Sequence, residues 1–283
     1  MVQGNTNTTL AATPASIKLA LPVGHVEAGL RSHDWRMPEE HNRIVVDHLS
    51  ELLFALTELA MRNLIAERVH GRVLVTGNTD TVLQEMPVAE RRSKIMEEVR
   101  FDEYALVTVH RAENVDDPLA LGGIVMALLS SPIPIVSPVH LRTESRLREF
   151  DLYDRLASAP NVQLMPPVGY LDMLVLLKNC TLAMTDSEGL QEEATVPCIR
   201  KPVLVLRTST ERPEAIEAGF ARLVGVNAEG MLSNLRALLE EAPELPPKSP
   251  FGDGRSSERI AEELARFPEA HQRILEASRL RRA

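Results

Sequence analysis

Short apolar runs alternate with longer amphipathic segments along nearly the whole chain. The runs are Val23–Glu27, Leu52–Ala55, Arg72–Thr76, Ala105–Val109, Ile133–Ser137, Val162–Met165, Leu182–Thr185 and Pro202–Leu206. Each is brief, rich in Val, Ile or Leu, and followed by polar residues or Gly, as buried strands are. Glu39–Leu49, Glu58–Glu67, Pro118–Leu129, Tyr170–Lys178 and Ala228–Glu241 carry their apolar residues at helical spacing. Strand, helix and strand in repetition predict parallel sheets with helices on both faces.

The pattern divides into two such sheets. A polar, mostly helical stretch, Gln84–Asp102, separates the run ending at Thr76 from the one starting at Ala105. We expect a first domain over 1–79 and a second over 80–265. The first shows three strands where a doubly wound sheet needs about five or six. Its front is therefore expected to be missing or supplied differently. Ser256–Ala265 and Pro268–Arg279 read as two helices, and the segment 266–283 is expected to fold back onto the first domain.

The composition fits this α/β pattern. Of 283 residues, 44% are hydrophobic, 25% charged and 4% aromatic, an ordinary globular balance. The longest apolar stretches, such as Ile124–Leu129, are too short to span a bilayer, so no membrane partner is expected. No basic or apolar leader follows Met1, and Cys180 and Cys198 are the only cysteines, so a cytoplasmic location is expected. A formal charge of −9 argues against a nucleic-acid surface, yet leaves room for a local phosphate site.

Four clusters carry candidate chemistry. In the first, Glu27 ends a strand, where open α/β sheets bind ligands. Pro38 then opens a helix whose first turn holds Glu39 and Glu40. Carboxylates from separate elements can divide acid and base work, although an acidic first turn also suits the helix dipole alone. The second cluster, Thr108–Asn114, ends a strand in His110 and Arg111, a proton carrier beside a phosphate-pairing cation. His140 repeats that pattern one strand later. A purely structural reading makes such a histidine a loop cap.

The third cluster, Thr185–Ala194, is a strand, a Ser/Gly turn and a helix start. Ser187 and Gly189 suit a phosphate, and Glu193 suits ribose hydroxyls. Equally, Ser187 could simply cap the helix with Gln191 or Glu192 answering it. The fourth, Arg207–Glu214, brings Thr and Arg donors, including Arg212, before Pro213 opens a helix.

These clusters occur in the order and spacing of the UDP-N-acetylglucosamine 2-epimerase family, which the chain resembles from Val2 to about Ile260. The runs HVEAGLR, PEExNR, TGNT, VTxHRxEN, TDSxGxQEEA and TERPEA carry the likeness. The resemblance implies two Rossmann-like domains of glycosyltransferase-B type, the first truncated here, with a UDP-sugar as substrate. It implies no cofactor and no obligatory metal, and leaves room for a homodimer. It implies loss of the C2 proton and of UDP, a 2-acetamidoglucal intermediate, and re-addition of UDP with the proton on the other face. By the same resemblance Glu27 and Glu39 handle protons and His110 promotes UDP departure. Arg111, His140, Tyr170, Met173, Ser187, Gly189, Glu193 and Arg212 then belong to substrate binding.

The chain departs from that pattern at several positions. Asn5 stands where the family has an acid/base Asp, and an amide cannot exchange a proton near neutral pH. Glu188 replaces the first Gly of a Gly-Gly pair, which sets an anion beside the phosphate turn and is costly unless it points outward. The Thr195–Lys201 connection is also longer. Alternatives are therefore an inactive or truncated UDP-binding relative, a hydrolysing 2-epimerase releasing N-acetylmannosamine and UDP, or a scaffold subunit whose sheet edge pairs with another chain.

Overall fold

The computed structural model describes residues 1–78 and 80–267 and contains two compact units. The first comprises Met1–Asp80 together with the described residues from Gly252; the second is Thr81–Phe251.

The first unit is built on a parallel sheet of four strands in sequential order, β1 (Val2–Gln3), β2 (Gly24–Ala28), β3 (Leu52–Ala55) and β4 (Arg72–Val75). The sequence pattern shows the last three of these. The two-residue β1 lacks an apolar run of its own and is held by register, Val2 opposite His25 and Gln3 opposite Val26. On one face Ala28, Leu53 and Ala55 pack against Ala60 and Leu64 of the helix Glu58–Ala66. Gly29 has φ +82°, and a Cβ there would lie 2.2 Å from the Ala60 carbonyl oxygen, so no other residue fits this approach.

Residues 256–267 are helical and belong with this first unit, although the sequence pattern assigns them through 265 to the second domain. Arg259 explains the correction: it donates to the carbonyl of Thr76 at 3.0 Å while pairing with Asp253. Glu263 pairs with Arg72 of β4. The helix expected over Pro268–Arg279 lies outside the described residues.

The second unit holds six parallel strands: β5 (Ala105–Thr108), β6 (Ile135–Pro138), β7 (Val162–Met165), β8 (Leu182–Thr185), β9 (Val203–Val205) and β10 (Ala221–Leu223). Their spatial order is β10-β9-β8-β5-β6-β7, the doubly wound arrangement. Side chains alternate between two cores. Ala105 and Val107 of β5 join Leu182 and Met184 of β8 on one face, while Leu106 and Ala183 serve the other. All four positions of β5 and of β8 are buried, which is why these strands read as continuous apolar runs.

The strand order reverses between β5 and β8. From β5 the chain builds outward through β6 and β7, then returns to the other side of β5 to lay down β8. Ligands of open α/β sheets bind at the carboxyl ends of the strands flanking such a reversal. Thr108 and Thr185 end these two strands side by side, their hydroxyls 2.6 Å apart. Among the described residues no helix is long and apolar enough to cross a membrane, and Cys180 and Cys198 are free thiols.

Candidate active site

An open cleft of about 260 Å³ lies at that reversal in the second unit. His110 enters it from the end of β5, His140 from beyond β6, Tyr170 and Met173 from the helix Tyr170–Asn179, and Ser187, Gly189 and Glu193 from the segment after β8. Seven residues singled out from the sequence thus line one cleft. A Cβ on Gly189 would meet no heavy atom nearer than Ser187 Oγ at 4.0 Å, so glycine leaves the cleft open there.

His110 is held by Asp186, a residue the sequence pattern does not single out. Asp186 is fully buried, and its carboxylate accepts from the backbone N–H groups of His110 and Arg111 at 2.9–3.1 Å. Asn114 Nδ2 donates to it at 3.0 Å, and His110 Nδ1 lies 3.1 Å from Oδ1. Burial pushes the Asp186 carboxyl up, but these donors outweigh it and hold the group below the usual carboxylate range. The contact fixes the ring through Nδ1 and leaves Nε2 for the cleft. His140 also serves the backbone: its Nδ1 accepts from Arg142 N–H at 3.2 Å, capping the helix Leu141–Glu149.

Glu193 and Tyr170 form the polar end of the cleft. Burial pushes the Glu193 carboxyl up to about 7, with Glu192 adding repulsion and the Tyr170 hydroxyl opposing both through a hydrogen bond. Burial and the Glu193 charge raise the Tyr170 phenol in turn. Ser187 both lines the cleft and caps its helix, accepting from Leu190 N–H at 3.4 Å. The structural and the binding readings of Ser187 are therefore compatible.

Arg111 and Arg212 do not line this cleft. Arg212 is buried against Glu192 and lies 3.5 Å from Glu188. Arg111 pairs with Glu188, which also accepts from Arg207 Nη1 at 3.0 Å. Glu188 itself does not line the cleft, and three guanidinium groups offset the cost of its partly buried charge.

In the first unit, Glu27 lies in β2 with φ +70°, a left-handed backbone that disfavours any residue bearing a Cβ. The register with β3 shifts between Val26 and Ala28, so Glu27 sits in a bulge that re-aims its side chain. Such strain concentrates at functional sites. Gln3 Nε2 donates to Glu27 Oε1 at 3.3 Å. Asn5, with its amide oxygen turned to Arg43, accepts from Nη2 and Nε at 2.9 and 3.2 Å. Arg43 also pairs with the buried Glu40 at 2.8 Å, whose carboxylate accepts from Ser32 and His33 N–H. Glu40 is thus committed to structure, whereas its neighbour Glu39 stays exposed on the first turn.

Residues 1–265 match the family described as UDP-N-acetylglucosamine 2-epimerase. The chain belongs to that family. The epimerase of Methanocaldococcus jannaschii is 43% identical over 271 residues, spanning 92% of this chain and 73% of its own length. The Escherichia coli K12 epimerase is 38% identical, with 93% and 74% covered. The crystal structure of the M. jannaschii epimerase in complex with UDP-GlcNAc and UDP superposes with a TM-score of 0.85 over 93% of this chain and 74% of that one. The Neisseria meningitidis epimerase bound to UDP-GlcNAc gives 0.83 at 34% identity, over 94% and 75%. The α/β architecture of two parallel-sheet domains in this epimerase-family chain matches those glycosyltransferase-B structures. It spans about three-quarters of the length of these relatives.

Proposed function

We propose that the protein is an isomerase that interconverts UDP-N-acetylglucosamine and UDP-N-acetylmannosamine. The observation that carries this is the family match over residues 1–265, combined with a cleft at the strand reversal lined by His110, Tyr170, Ser187 and Glu193. In this reading the uridine ribose donates to the Glu193 carboxylate, Tyr170 and Met173 support the base, and Ser187 and Gly189 receive the diphosphate. His110, positioned by Asp186, offers Nε2 to the oxygen that leaves C1. Arg111, His140 and Arg212 act around this core.

The chemistry is an elimination and its reverse. A carboxylate takes the C2 proton, the C1–O bond breaks with its electron pair on UDP, and a 2-acetamidoglucal forms. UDP then re-adds at C1 while a proton reaches the opposite face of C2. Glu27 and Glu39 are the acid/base pair we assign, since Asn5 cannot carry a proton near neutral pH. Neither step requires a redox cofactor.

Incubation with UDP-N-acetylglucosamine, followed by separation of nucleotide sugars, tests the proposal. UDP-N-acetylmannosamine should accumulate to an equilibrium reached from either sugar. Release of free N-acetylmannosamine with UDP would establish a hydrolysing enzyme instead. Retention of UDP without any turnover would establish a binding relative. A Pseudomonas aeruginosa relative named UDP-2,3-diacetamido-2,3-dideoxy-D-glucuronate 2-epimerase is 38% identical, so that sugar nucleotide belongs in the same assay.

A further inference from the structure

Glu188 occupies an unusual place for an acidic side chain. Its neighbours Ser187 and Gly189 line the cleft, yet its own side chain is only 15% exposed and faces Arg111, Arg207 and Arg212. Burial pushes its carboxyl up, but a hydrogen bond from the Glu211 carboxyl and the fields of Arg212, Arg111 and Arg207 hold it down at about 2. Three guanidinium groups around it favour the anion.

The three arginines are not equivalent. Arg207 is 2% exposed and lies 3.4 Å from Glu113 as well. Arg212 is 5% exposed and pairs with Glu192. Each therefore keeps a second carboxylate nearby if Glu188 lets go. Arg111 is 25% exposed, follows the cleft residue His110, and has Glu188 as its ion-pair partner among the described residues. Without Glu188, Arg111 would present an uncompensated guanidinium charge next to the Ser187 turn, as a diphosphate requires.

We propose that Glu188 is a built-in competitor for the diphosphate end of the ligand. It holds Arg111 while the cleft is empty, and Arg111 exchanges it for a phosphate oxygen when a nucleoside diphosphate enters. Affinity for the diphosphate is thereby reduced and release of a diphosphate product is eased, while recognition of the nucleoside is untouched. This rests on the reading of the cleft as a nucleoside-diphosphate site.

Calorimetric titration of UDP and of uridine into wild type and Glu188→Gln tests it. The amide keeps the shape and removes the charge. UDP should bind roughly tenfold tighter to Glu188→Gln, the size of one charge-assisted contact regained, with uridine unchanged. Equal or weaker UDP binding with uridine binding intact in both proteins overturns the inference and spares the cleft reading. Failure of both proteins to bind either ligand overturns both. Should Glu188→Gln not fold, Glu188→Asp withdraws the charge by one methylene and should tighten UDP by a smaller factor; unchanged or weaker UDP binding there also overturns the inference.

Discussion

One carboxylate oxygen of Asp186 lies 3.1 Å from Nδ1 of His110, joining the ends of β8 and β5 across the seam where the strand order reverses. The same carboxylate accepts from the backbone of His110 and Arg111, so ring and main chain are fixed by one buried anion. The fold thus positions His110, the residue we propose as proton carrier, by the topology of the sheet rather than by a local motif.

Asp186→Asn should lower turnover by about 10²–10⁴, the range for a mispositioned acid/base group, with a far smaller change in UDP affinity. The amide presents N–H to donors that Asp186 now satisfies, so a loss of roughly 1–3 kcal/mol in stability should accompany it. Steady-state kinetics beside calorimetry separate the effects: an equal loss of binding and turnover would make Asp186 merely structural.

Glu193 should couple nucleotide affinity to pH. With its carboxyl pushed up to about 7, the accepting anion is complete only above that pH. UDP binding to wild type should therefore weaken as pH falls from about 8 to about 6, beyond any change in Glu193→Gln, whose own affinity should be roughly tenfold or more lower. Titrations of both proteins across this range check it, because protonation of UDP itself is common to the two.

The same residue should limit stability. Between pH about 4.5, where the unfolded carboxyl ionises, and about 7, the folded chain holds a proton that the unfolded chain has released. Stability attributable to Glu193 therefore falls as pH rises through that window and stays reduced above it. Glu193→Gln should melt at a higher temperature than wild type at pH about 8, with the advantage shrinking towards about 4.5. Thermal denaturation at several pH values reads this directly.

Glu27, one of the acid/base residues we propose, sits on a strained backbone. Its φ of +70° costs about 1 kcal/mol that glycine would not bear. Glu27→Gly should retain or slightly raise the melting temperature while abolishing turnover. A substantial loss of stability would mean that the side chain, not the backbone, holds the bulge.

Asn5 accepts from the fork of Arg43, a geometry that an aspartate would take up without rearrangement. Asn5→Asp should therefore fold normally and raise turnover by at least about tenfold if an acid/base group is wanted there. An unchanged rate would assign the proton traffic to Glu27 and Glu39 alone.

Much of this was legible in the chain. Strands such as β5 and β8 are buried on both faces, so their apolar runs announce them. By contrast β1 and β10 escape notice, because two or three residues at a sheet edge, Arg222 among them, carry no such run. His110 and Ser187 were readable as cleft residues because each follows a strand end, and Glu193 because it lies on the helix that Ser187 caps. Asp186 was not, since its partners come from 72 to 76 residues away in sequence. The placement of Glu188 depends likewise on Arg111 and Arg207, delivered by other strands. Sequence spacing reports which residues leave a strand; it does not report which distant charges meet them.

The most direct test of the account is exchange at C2. UDP-N-acetylglucosamine incubated with the protein in heavy water should acquire deuterium at C2 in both epimers, observed by proton NMR as loss of the C2 signal alongside the appearance of UDP-N-acetylmannosamine. Epimer formation with the original C2 proton fully retained would contradict the elimination and re-addition proposed for this cleft.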